Sequence, residues 1–159
     1  MENRTYINIL TDTLKKKLAI LEQLIVISTE QDGLISSETP DMDRLDHTFS
    51  DKEVLITQLN QLDDGFEKVY QHVKEALKED KEQLKEQILM LQEMIRQVTD
   101  KSTQLQVIEH RNKNRFQLFF AGRKKEIKNF KLSSRTADSY YRSVLNGPTG
   151  ESFFLDKKK

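Results

Sequence analysis

From Met42 onward the apolar side chains fall at alternating steps of three and four. The register 42, 45, 49, 52, 56, 59, 63, 66, 70, 73, 77 is a strict seven-residue repeat. Met42, Leu45, Phe49, Ile56, Leu59, Phe66, Tyr70, Val73 and Leu77 fill nine of its eleven places, and Lys52 and Asp63 are the exceptions. A repeat of this kind puts one apolar stripe on a helix and asks for a partner helix to cover it. Leu55, Leu62 and Val69 lie beside the stripe and widen it, so this helix is expected to touch two neighbours in a three-helix arrangement.

The segment before it carries Ile7, Leu10, Leu14, Leu18, Leu21 and Ile25 on one helical face and is expected to stop near Gly33. Thr39-Pro40-Asp41 then reads as a helix start, with Thr39 as the capping hydroxyl and proline at the first helical position. The Lys78-Glu79-Asp80-Lys81 cluster interrupts the apolar pattern, and Asp80 is expected to cap a third helix from Lys81. That helix repeats the device with Leu84, Ile88, Leu91, Ile95, Val98, Leu105, Phe116 and Phe119. Ser102, Glu109 and Asn112 occupy stripe positions in its middle, where packing must be looser or wetter. Beyond Gly122 the pattern resumes as Ile127, Phe130, Ser134, Ala137 and Tyr141, and Asn146-Gly147-Pro148 is a stop signal.

The expected fold is therefore all-α: an elongated antiparallel helical hairpin or three-helix, coiled-coil-like bundle. Its single domain covers residues 1–145, with helices over about 1–35, 39–79 and 80–145, and residues 146–159 form a flexible tail. At 1.5 Å per residue an unbroken third helix measures about 95 Å against about 55 to 60 Å for the second, so it must overhang. Residues 112–145 are expected to project as a partner-binding extension.

Composition narrows the function classes. Only five Gly and two Pro occur among 159 residues, which favours long helices. There is no cysteine, so disulfides and thiolate chemistry are excluded. The N-terminal apolar run is interrupted by Lys15, Lys16 and Lys17 and falls short of the roughly 18 residues a membrane span needs, so no membrane insertion is expected. A zero net charge hides a strong polarity. Residues 1–110 carry 13 Lys and Arg against 22 Asp and Glu, a net −9, whereas residues 111–145 carry 10 against 2, a net +8. The two regions face different surroundings or partners.

Catalytic and cofactor chemistry lacks its residues. His47, His72 and His110 are scattered singly, and no phosphate loop, nucleophile elbow or zincin motif occurs. Paired acids such as Asp41 with Asp43 and Asp63 with Asp64 suit a solvated helix face better than a dry acid–base pocket. No enzyme, no metal and no cofactor are expected. The informative stretch is Arg111 to Leu145, where arginines and lysines alternate with Phe116, Phe119, Phe120, Ile127, Phe130, Tyr140 and Tyr141. A solvated basic face with its aromatics in the bundle core is one reading, and a membrane-surface helix is another. A nucleic-acid arm fits less well, because the cations are interleaved with bulky apolar groups on an otherwise acidic chain, and no nucleic acid is expected. The preferred reading is an apolar stripe offered to another protein's helices, with a positive rim that selects acidic partners.

The chain also carries Asp51-Lys52-Glu53-Val54-Leu55-Ile56, Leu59-Asn60-Gln61-Leu62-Asp63 and Arg111-Asn112-Lys113, and it closes on Ala137-Asp138-Ser139-Tyr140-Tyr141-Arg142-Ser143-Val144. In that order these segments resemble the FlgN-like family of flagellar type III export chaperones over roughly residues 5–145. The resemblance implies a small cytoplasmic helical protein that holds hook-associated flagellar proteins unassembled and delivers them to the flagellar export apparatus through its C-terminal helical region. Phe116, Phe119, Phe120, Ile127 and Phe130 are then the candidate anchors, with Tyr140 and Tyr141 contacting the subunit or the export gate. Packing within the bundle is the competing reading for all seven. A structural coiled-coil or stalk component of the export apparatus and a helical regulator that binds a transcription factor are the functional alternatives. A homodimer is open under each.

Overall fold

A computed structural model describes residues 2–121, which form three helices: α1 (Glu2–Ile35), α2 (Met42–Glu79) and α3 (Lys85–Ala121). The chain runs up, down and up. Asn3 meets Asp80, Tyr6 meets His72, Lys17 meets Asp63 and Gln31 meets Thr48, so α1 and α2 are antiparallel. After the turn at 80–84, α3 starts beside the start of α1 and runs parallel to it, bringing Asp32 to Arg115.

Burial follows the stripes read from the sequence. Ile7, Leu10, Leu14, Leu21 and Leu24 of α1 are essentially solvent-free, as are Leu59 and Phe66 of α2 and Leu91, Ile95 and Leu105 of α3. Each such side chain contributes about 1.5–3 kcal/mol by leaving water. The middle helix, however, is α1, which packs along both others, while α2 and α3 approach each other more weakly. Leu55 is buried and Leu62 and Val69 are half-buried against the core, as the widened stripe required. The second neighbour of α2 is reached mainly by side chains, Lys52 to Glu109 and Phe49 to Phe116.

The helix ends differ from expectation by a few residues. The cap of α2 is Asp41, whose carboxylate accepts from the Arg44 amide at 3.0 Å, so Thr39 and Pro40 stand before the cap. An anionic cap also complements the partial positive charge of the helix start. Asp80 closes α2 instead of opening α3: its amide donates to the Ala76 carbonyl at 2.9 Å, and α3 becomes regular only at Lys85. α1 passes through Gly33 to Ile35, because a glycine without a left-handed backbone is only a weak stop. Hydroxyls inside the helices fold back onto carbonyls one turn earlier, as Thr11 does on Ile7 at 3.0 Å and Thr29 on Ile25 at 2.8 Å.

Candidate functional site

One of the two misfits in the α2 stripe and two of the three in α3 are explained together. Lys52 lies 3% exposed and its ammonium donates to Glu109 Oε1 of α3 at 2.5 Å and to Gln31 Oε1 of α1 at 3.0 Å. Ser28 donates its hydroxyl to the same Glu109 oxygen, and Asn112 Nδ2 donates to the Ser28 carbonyl at 2.7 Å. Gln31 Nε2 donates to Thr48 Oγ1 at 3.0 Å. Ser28, Gln31, Thr48, Lys52, Glu109 and Asn112 are all buried, so a polar layer crosses all three helices. Burial pushes the Lys52 ammonium below the usual lysine range, and the charge and hydrogen bond of Glu109 oppose that. Asp63, the other misfit of α2, is held by Lys17 at 2.8 Å.

This layer divides the interior. Below it lies the main core, from Ile7 up to Leu105; above it Leu45 and Phe49 form a separate cluster with Leu34, Ile35, Met42, Phe116, Phe119 and Phe120 half-buried around them. The rings of Phe49 and Phe116 are 5.3 Å apart, those of Phe116 and Phe120 6.0 Å, and those of Phe119 and Phe120 meet edge-on at 5.1 Å. Leu118, on the far side of α3, is 79% exposed.

Charged groups frame this end. Glu30 of α1 accepts from Nε and Nη2 of the Arg44 guanidinium at 2.5 and 2.7 Å, and that hydrogen-bonded pair holds the Glu30 carboxyl below its ordinary 4.5. Asp32, half a turn further on, receives Arg115 on one oxygen and Arg111 on the other at 3.5 Å. Arg115 also reaches Ser36 Oγ at 3.5 Å.

Of the candidate anchors, Phe116, Phe119 and Phe120 are brought together here, and over residues 112–121 the stretch expected to project is laid along the bundle. Ile127, Phe130, Tyr140 and Tyr141 lie outside the described residues, as do the expected overhang beyond Gly122 and the tail. The pairing of Asp32 with Arg115 puts Ile35 level with Leu118, so α1 offers no further surface past about Ala121. Sequence reasoning did not assign Leu34, Ile35, Leu45, Phe49 or Asp32 to this end. The available signal was Leu34-Ile35 directly after Gly33, an apolar pair with no place in a loop.

Among the described residues no group of His, Cys, Asp and Glu could hold a metal ion, and no helix is long and apolar enough to cross a membrane. Three long helices, a polar layer and an aromatic end define an all-α, coiled-coil-like three-helix bundle. The family model described as FlgN protein matches residues 1–143, and the chain belongs to this family of flagellar chaperones. No curated protein and no solved structure matches the chain.

Proposed function

We propose that this protein is a cytoplasmic export chaperone that binds hook-associated flagellar proteins, keeps them from assembling prematurely and delivers them to the flagellar type III export apparatus. The observation that carries the reading is the aromatic end of α3, a cluster set apart from the main core on a chain of the FlgN family. Aromatic side chains with part of their surface still wet hold binding energy in reserve, because a partner can finish burying them. The reaction is an exchange of helix partners: apolar surface on a subunit's terminal helices is covered by this chain until export. Phe116, Phe119 and Phe120 serve as anchors, joined by Ile127, Phe130, Tyr140 and Tyr141 from the basic segment that follows.

Size-exclusion chromatography with the terminal helical regions of the same organism's hook-associated proteins tests this. Co-elution is expected for the full chain and is expected to be lost when the chain is cut after Asn114. Replacing Phe119 and Phe130 together by Asp should abolish co-elution while far-UV circular dichroism stays helical, because a carboxylate in an apolar contact is costly to desolvate. Retention of the complex by the truncated chain would point to a rod-like structural role in the export apparatus.

A further inference from the structure

In the free chain, the three phenylalanines assigned to a partner rest on the chain's own bundle end. What holds them there is unequal along α3. Between Val98 and Phe116 the only fully buried apolar residue is Leu105, and the other buried residues are Glu109 and Asn112 of the polar layer. Past that layer, α3 keeps Phe116, Phe119 and Phe120, each only half-buried against a cluster whose fully buried members are Leu45 and Phe49. An end held by so little apolar area opens at lower free energy than the helix below it.

The remaining hold is electrostatic. Asp32 is a single carboxylate that receives two arginines one turn apart on α3, Arg111 and Arg115, with its side chain 22% exposed. Those arginines begin the segment of net charge +8, and Asp32 belongs to the region of net charge −9. We propose that Asp32 is a latch that holds the aromatic end of α3 shut. A partner helix bearing carboxylates beside an apolar stripe opens it by taking over Arg111 and Arg115 while its apolar residues replace Leu45 and Phe49 against the phenylalanines. Guanidinium forks exchange one carboxylate for another with little loss of geometry, so the swap retains the ion pairs while it frees the rings. Opening stops at the polar layer, because carrying it further would part Lys52 from Glu109. The latch stands on the geometry of the free chain; its opening by a partner rests on the chaperone reading.

Hydrogen exchange of the full chain reads the latch without any partner. In Asp32→Asn, amides of residues 113–121 should exchange roughly two- to fivefold faster, the range expected for losing a partly exposed ion pair, while residues 87–105 stay unchanged. Arg115→Gln should loosen the same amides. The two variants should part in calorimetric titration with a hook-associated terminal helical region. Asp32→Asn should bind about two- to fivefold more tightly, since less of the protein is closed, and Arg115→Gln more weakly, since the partner's carboxylate has lost its arginine. Unchanged exchange in Asp32→Asn would overturn the latch, and so would faster exchange coupled to weaker binding of the subunit. Faster exchange with no binding by either the wild-type chain or the variant would remove the chaperone reading and leave the latch standing.

Discussion

Lys52 occupies an apolar stripe position, is almost fully buried and still carries partners on two other helices. Pairing a charge in the interior seldom adds net stability, because desolvating both ions offsets their attraction; its effect is to penalise every arrangement in which the partners miss each other. The layer from Ser28 to Asn112 thereby fixes which residues of α1, α2 and α3 stand at one level, a choice that uniform apolar stripes leave open to slippage by a heptad. Lys52→Met should cost about 3–5 kcal/mol in urea unfolding by stranding Glu109, whereas Lys52→Met combined with Glu109→Leu should recover most of that loss. A double variant whose loss equals the sum of the losses in Lys52→Met and Glu109→Leu would mean that the pair is not coupled.

The three helices owe their existence to periodicity and their placement to contacts that periodicity does not encode. The junction of α1 and α2 shows this, since Glu30 and Arg44 clamp the two helices on either side of residues 36–41. The carboxyl of Glu30 has its pKa lowered in the folded chain, so its contribution is complete above the unfolded value of about 4.5 and disappears as pH falls through the lower folded value. Glu30→Gln should therefore lower the melting temperature at pH 7, and by less and less as pH falls below 4.5 and through the lower folded value. The difference should shrink in high salt, as for any exposed pair. A difference independent of pH would assign the effect to packing. Much of this architecture was legible in advance: the α2 register from Met42 to Leu77, the apolar face of α1 and the stripe of α3 all lie where their spacing put them. The misfits Lys52, Asp63, Glu109 and Asn112 were visible as interruptions. Their mutual pairing was not, because Lys52 and Glu109 are 57 residues apart and any acid on another helix could have answered the lysine. Phe116, Phe119 and Phe120 could be singled out by type, while their seat on Phe49 and Leu45 depends on how far α3 rises beside α1, which no local pattern records.

For the molecule as a whole, the central position of α1 sets the order in which structure can be gained. Its contacts with α2 close across six residues, whereas its contacts with α3 join residues separated by about 80 positions, such as Ser28 and Glu109. Loop closure favours the nearer pairing, so the α1–α2 hairpin should form in the folding transition state and α3 should dock afterwards. In stopped-flow experiments Leu59→Ala should slow folding, and Leu105→Ala should chiefly accelerate unfolding. The reverse pattern would place α3 in the nucleus. Synthesis imposes the same sequence of events: when α2 has left the ribosome, one flank of α1 is still bare and remains so until residues 85–121 have followed. For that interval the nascent chain is itself an uncovered amphipathic helix in search of a partner, the very condition that it is proposed to relieve in others.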